Sequence, residues 1–150
     1  MTPLTGRFAA DFPRWSPDQL FRLAADIERY PDFIPWCKSA RVLSEDGTER
    51  MVDNHFGIGP LDMHFLSRTV TRAPDSLDIA AADGPFQDFR LIWRFLPAAT
   101  GCRVEADYQI AFRSPMLHGL AGIAIHEVER RVLKRFEERA AEVYGGGQPG

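Results

Sequence analysis

The sequence predicts an α+β fold in which a curved antiparallel sheet of about six to seven strands wraps one long C-terminal helix. Three observations predict it. From residue 38 to residue 113, short runs of alternating apolar and polar residues are cut by turn signals, and no helical period appears. Residues 115–144 then carry apolar positions at three- and four-residue steps. A helix of that length spans about 45 Å, enough to cross a whole sheet.

Each element has its own signal. Leu4 to Phe12 alternates as a first strand, with Phe8, Ala10 and Phe12 on one face. Ser16-Pro17-Asp18-Gln19 starts a helix: Ser16 caps it, Pro17 suits the first helical position, and Gln19 completes a capping box. Leu20, Phe21, Leu23, Ala24 and Ile27 form its buried stripe. Asp46-Gly47, Gly57-Ile58-Gly59-Pro60, Pro74-Asp75-Ser76, Asp83-Gly84-Pro85 and residues 98–101 divide the following region into strands. Loops this short pair neighbouring strands antiparallel, as a meander.

The later strands show a clean period of two. Phe89, Leu91, Trp93 and Phe95 share one face, opposite Arg90, Ile92 and Arg94. Cys102, Val104, Ala106, Tyr108, Ile110 and Phe112 share another, opposite Arg103, Glu105, Asp107 and Gln109. A sheet with one dry face needs one cover. The long helix supplies it, with the stripe Leu117, Leu120, Ala121, Ala124, Val128, Val132, Phe136, Ala140 and Val143. Glu127 with Arg131 and Lys134 with Glu138 are expected surface pairs. This is a helix-grip arrangement, and because a curved sheet and a straight helix cannot meet everywhere, it tends to enclose a space.

Bulk composition bounds the function. The 150 residues fit one domain over 1–144, followed by a flexible tail over 145–150. The chain is 45% hydrophobic and 26% charged, ordinary for a globular protein able to bury a core. A net charge of −3 argues against DNA or any phosphate backbone as its main partner. Cys37 and Cys102 lack metal-ligand spacing and read as reduced core thiols. No apolar run reaches the roughly 20 residues of a membrane span, and residues 1–10 lack the apolar core of a signal peptide. The expected location is cytoplasmic.

The segment Arg29-Tyr30-Pro31-Asp32-Phe33-Ile34-Pro35-Trp36-Cys37 stands out. Its two prolines end the first helix and set a tight bend. A plain connector would be polar, whereas this one carries four large apolar side chains and reads as a roof over an apolar space. It reads equally well as a lid on an ordinary core.

Enzymatic signals are weak. His55, His64, His118 and His126 form no HxxxH or HxH pair, so no metal site is predicted, although His55 and His64 can face each other across a hairpin. Glu105 and Asp107 share a strand face, but it is the wet one. Nucleophile-elbow, phosphate-loop and dinucleotide motifs are missing, and Asn54, Tyr108, Ser67 and Thr69 are the polar groups available to a cavity.

Residues 115–125 open the long helix with two glycines and without Asp, Glu, Lys or Arg. Met116, Ile123 and Ile125 lie off the main stripe. Together with Ile58 at its turn tip, they read as a gate or a membrane-touching face. The alternative is close helix–sheet packing at Gly119 and Gly122. Further along, Arg130, Arg131, Lys134, Arg135 and Arg139 form a basic stripe diluted by glutamates.

The segment from Tyr30 to Cys37, then Asp83-Gly84-Pro85-Phe86, then Trp93 with Phe95, resembles the coenzyme Q-binding family of START-like proteins, within the polyketide cyclase/START superfamily. The likeness runs from about Thr5 to Tyr144. It implies a START/Bet v 1-like helix grip and a tunnel for ubiquinone or a related isoprenoid lipid. The implied role is non-catalytic, in respiration and quinone biosynthesis, with ubiquinone as cargo and no cofactor. Eukaryotic members of that family are mitochondrial, and residues 1–10 carry no transit pattern, so a bacterial protein or else a processed one is expected, with peripheral contact at the inner membrane as a further expectation from the apolar rim. Family members include ribosome-association toxins, so the ribosome is the alternative partner, and a cyclase-like enzyme is a third reading. The tunnel candidates are Phe33, Trp36, Phe56, Met63, Phe65, Phe86, Phe89, Trp93, Phe95 and Tyr108, with Leu117, Leu120 and Ala124 from the long helix.

Overall fold

A computed structural model describes residues 2–58 and 61–145. The elements run β1 (Leu4–Phe12), α1 (Pro17–Ala25), a 3₁₀ turn (Ile27–Asp32), β2 (Cys37–Asp46), β3 (Glu49–Ile58), β4 (Leu61–Arg72), β5 (Ser76–Ala81), β6 (Phe86–Pro97), β7 (Cys102–Phe112) and α2 (Pro115–Tyr144). The seven strands form one antiparallel sheet in the order β1-β7-β6-β5-β4-β3-β2. Strands β2 to β7 are the predicted meander, and β1 closes onto β7 with Gly6 opposite Tyr108. Register shifts at Cys37/Ser39, Val42/Ser44 and Phe86/Asp88 bend the sheet.

The capping box forms as expected. The Gln19 backbone N–H donates to Ser16 Oγ at 3.1 Å, and the Ser16 N–H donates to Gln19 Oε1 at 2.9 Å. Leu20, Phe21, Leu23, Ala24 and Ile27 are all buried. α1 packs on β5, β6 and β7, where it joins Phe12, Trp15, Leu77, Trp93, Phe95, Val104, Phe136 and Ala140 in the main core. Both cysteines are free and buried, and burial pushes each thiol up to about 11.

The proline segment is a 3₁₀ turn followed by a bend. The Tyr30 hydroxyl donates to the Ala24 carbonyl at 2.5 Å, locking the bend onto the end of α1. Glu28 accepts from the Val42 N–H at 2.9 Å, and the Gly57 N–H donates to the Trp36 carbonyl at 2.8 Å. The bend is therefore tied to β2 and β3. Gly84, at φ +60°, turns the chain into β6, and a Cβ there would lie 2.1 Å from the His64 carbonyl oxygen.

α2 crosses the sheet on its concave side, but its inward face differs from the predicted stripe near both ends. Leu117, His118, Ala121, Ile125, Val128, Val132, Phe136 and Ala140 are buried or half-buried, while Leu120, Ala124 and Val143 are exposed. For Leu120 and Ala124 the reason is that residues 115–125 are apolar on every side, so no charged face marks which side is wet; Val143 lies in the last turn of α2. His118 points inward, with Nε2 2.9 Å from the Thr2 carbonyl and Nδ1 accepting from the Phe112 N–H at 3.4 Å. That pairing fits the neutral Nε2–H tautomer.

The surface pairs also shift by a residue. Glu127 pairs with Arg131 at 3.0 Å as expected, but Glu138 pairs with Arg135 at 3.4 Å rather than with Lys134. Arg139 leaves the basic stripe. It lies over the Phe33 ring, 5.6 Å from its centre, and pairs with Asp32 at 3.6 Å, clamping α2 to the bend. The predicted tail over 145–150, apart from its first residue, and the turn residues 59 and 60 lie outside the described residues.

Candidate functional site

The concave side of the sheet and the middle of α2 do not touch everywhere. Between them lies a cavity of about 210 Å³. The roof comes from the proline segment: Ile27, Tyr30, Phe33, Ile34 and Trp36. The floor comes from alternate residues of the strands: Phe8, Asn54, Phe56, Phe65, Ser67, Thr69, Ile79, Phe89, Leu91, Trp93, Tyr108 and Ile110. Ile125, Val128, Glu129, Val132 and Phe136 of α2 close it. The period of two puts every second strand residue on this wall, and the 3.6-residue period does the same for α2.

Of the sequence candidates, Phe33, Trp36, Phe56, Phe65, Phe89, Trp93 and Tyr108 line this space together. The others stand elsewhere. Phe95 is in the main core, in edge contact with Phe21 at 5.8 Å, because α1 fills that end of β6. Phe86 sits in a separate cluster with Phe65, Ala81 and Phe112, and Met63 and Leu117 pack against that cluster. Leu120 and Ala124 face solvent, for the reason given above.

Sequence reasoning passed over several lining residues. Leu91 and Ile110 had a clear signal, because they share faces with Phe89 and Tyr108. Ile125, placed off the helix stripe, instead lines the cavity. In the sequence Glu129 reads as one of the glutamates that dilute the basic stripe, although it follows Ile125 by four residues and precedes Val132 by three.

The polar groups are few and mostly tied to one another. Asn54 Nδ2 donates to Ser67 Oγ at 2.9 Å and to the carbonyls of Phe65 and Val52 at 3.2 Å. Thr69 Oγ1 and Trp93 Nε1 are buried without a partner among the described residues. The Tyr108 hydroxyl donates to Glu129, joining β7 to α2 across the cavity wall. This contact needs Gly6, where a Cβ would lie 2.4 Å from the Tyr108 oxygen. Burial, and then the Glu129 carboxylate, push the Tyr108 phenol well above its usual range.

On the outside, His55 and His64 do face each other across the β3–β4 hairpin, with ring centres 4.0 Å apart and His55 Nε2 2.5 Å from Asp62. Among the described residues no group of three or more His, Cys, Asp or Glu side chains is placed to hold a metal ion. Among the described residues no helix is long and apolar enough to cross a membrane.

The arrangement is a largely apolar cavity enclosed between sheet, bend and helix. The wall is aromatic and aliphatic, and the polar side chains are spent largely on each other. Residues 14–137 match the model of the family described as polyketide cyclase / dehydrase and lipid transport. The chain belongs to that family. Within it, the chain is 31% identical to the ribosome association toxin RatA of Rickettsia prowazekii, over 86% of this chain and 91% of the relative. It is 26% identical to the mitochondrial coenzyme Q-binding protein COQ10 homolog B of Xenopus laevis, over 87% of this chain and 56% of the relative. The Zhui aromatase/cyclase of Streptomyces sp. R1128 has the same fold, with a TM-score of 0.82 at 11% identity over 99% of this chain and 98% of that one. The family thus spans proteins named for ribosome association, quinone binding and cyclisation. The START-like helix grip expected from the sequence is the fold observed.

Proposed function

We propose that this protein binds an isoprenoid quinone such as ubiquinone in the cavity under α2 and hands it on chemically unchanged. The observation that carries this reading is the cavity wall itself. Tyr30, Phe33, Trp36, Phe56, Phe65, Phe89 and Trp93 give an apolar lining with flat aromatic surfaces, suited to a quinone ring and an isoprenoid tail. Burial of apolar surface, at roughly 25 cal/mol per Å², supplies the affinity. The relative named as a coenzyme Q-binding protein supports the choice of ligand. A cyclase would need several polar groups free to act on a substrate, and here Asn54 and Ser67 bind each other while Tyr108 binds Glu129, which leaves the Thr69 hydroxyl and the Trp93 N–H as the buried unpartnered polar groups among the described lining residues.

Native mass spectrometry with organic extraction, on protein purified from a quinone-producing host, tests the reading. A stoichiometric quinone supports it and identifies the tail. Protein that is empty and also fails to take up added quinone rules it out.

Ribosome association is the second reading. It is favoured by the RatA relative and by the groove where Arg130, Arg131, Lys134 and Arg135 gather beside Pro35. Binding to ribosomal RNA through that groove would weaken steeply with added salt in a cosedimentation assay.

A further inference from the structure

We propose that the outer face of residues 115–125 of α2 docks the protein on a lipid bilayer bearing anionic headgroups, so that the cavity can exchange its cargo there. Met116, Leu120 and Ile123 follow one another at four- and three-residue steps and project to the same side. They are 73%, 50% and 83% exposed. An exposed helix face is normally polar, yet Asp, Glu, Lys and Arg are all missing from residues 115–125.

Packing does not explain this stretch. A Cβ on Gly119 would meet nothing within 4 Å, and one on Gly122 would meet only Leu4 Cδ2, at an ordinary 3.5 Å. Close helix–sheet contact, the alternative raised by the sequence, is therefore not what the glycines serve. The apolar side chains point outward and the small residues leave the helix surface low between them.

Charge selects the occupant. Continuing along the same outer side, Arg130, Arg131, Lys134 and Arg135 border one groove together with Glu138. Arg130 and Arg131 share the single carboxylate of Glu127, at 2.5 and 3.0 Å, and Arg135 takes Glu138 at 3.4 Å. Four cations thus meet two carboxylates, on a chain whose net charge is −3. The basic groove begins roughly 10 Å along the helix from Ile123. Aliphatic side chains beside a local excess of Arg and Lys match acyl chains beside lipid phosphates. A single-stranded RNA surface would call instead for aromatic stacking platforms among the cations, and Met116, Leu120 and Ile123 offer none. One turn of helix joins the face to the cavity, because Ile123 points out while Ile125 lines the cavity wall.

The cargo exchange rests on the quinone-carrier reading, but docking can be tested apart from it. The full chain is floated with phosphatidylcholine–phosphatidylglycerol vesicles and with pure phosphatidylcholine vesicles. Quinone uptake from detergent micelles is measured in parallel. The wild type should float with the mixed vesicles and less with the neutral ones. The Met116→Glu, Ile123→Glu double variant should lose at least about tenfold in bound fraction while its micellar quinone uptake stays unchanged. Both positions are exposed, so the variant should fold, and circular dichroism checks this. A wild type that stays at the bottom of the gradient overturns the proposal, as does a double variant that floats equally well. Cosedimentation with ribosomal subunits, lost in the same variant and without flotation, overturns it in favour of RNA. Flotation without quinone uptake supports docking and removes the carrier reading.

Discussion

Phe95 and Phe89 stand on the same face of β6 and meet opposite surroundings. Phe95 is 1% exposed, with Phe21 of α1 in edge contact. Phe89 is half-buried on the wall of a cavity, in ring contact with Phe65 and Phe86. The strand, the face and the residue type are identical. The difference is what lies opposite. α1 inserts Leu20, Phe21, Leu23 and Ala24 between the sheet and the end of α2, so two helices fill one end. At the other end α2 and the bend of residues 27–36 cover the curved sheet without a second α-helix beneath them, and a space remains. In this fold a core and a cavity are the same wall, with and without a second helix over it.

That comparison can be broken most directly by truncation. Phe95→Ala should cost about 3–5 kcal/mol, because it opens a new hole in a filled region. Phe89→Ala should cost no more than about 2 kcal/mol, because its neighbours already border a space. Urea denaturation of both variants measures the difference, and equal losses would mean that the two ends are equally packed. Tyr108→Phe should come next. It strips the donor from Glu129 and leaves the carboxylate against an apolar wall, at a cost of about 1–3 kcal/mol. Adding Glu129→Leu should recover most of that loss, and a double-mutant cycle reads the coupling.

Smaller effects sharpen the picture along α2. Gly119→Ala and Gly122→Ala should each stabilise by about 0.5–1 kcal/mol, since both positions have room for a methyl group and alanine is the better helix former. A loss instead, in thermal melts, would show that the helix there is held more tightly than the open space implies. The smallest effect should be that of acid below about pH 4. Asp107, on the outer face of β7, is held below the usual carboxylate range by its hydrogen bond to Arg7 and by Arg94. A depressed carboxyl stabilises the fold above its unfolded value, near 3.8, and loses that contribution as pH falls through its lower folded value. Asp107→Asn should flatten the decline of stability in that acid window, and it should do so equally whether unfolding is followed at the core or at the cavity.

Legibility in the sequence followed the strength of local contrast. The period-two strands β6 and β7 have charged outer faces, so their inward residues, including Phe89, Trp93 and Tyr108, could be read directly. The proline segment was readable because apolar bulk is out of place in a bend, and its Phe33 and Trp36 do line the cavity. Leu120 and Ala124 were misplaced because an all-apolar stretch carries no record of which side is wet. Arg139 reads in the sequence as one member of the basic stripe, and only the position of Phe33 and Asp32 turns it inward.

By itself, the sequence determined the order of elements, the antiparallel meander, the gripped helix and the two faces of each strand. Those follow from periodicity, caps and turns, which act over a few residues. The tertiary structure alone decided which dry residues become core and which become cavity wall. It also decided that Glu129 meets Tyr108, and that Met116 and Ile123 stand bare. These outcomes depend on how far α1 reaches over the sheet, on the bulges that curve it, and on how α2 is rotated about its axis. None of these is encoded within one turn or one strand, because each is set by contacts between residues far apart in the chain.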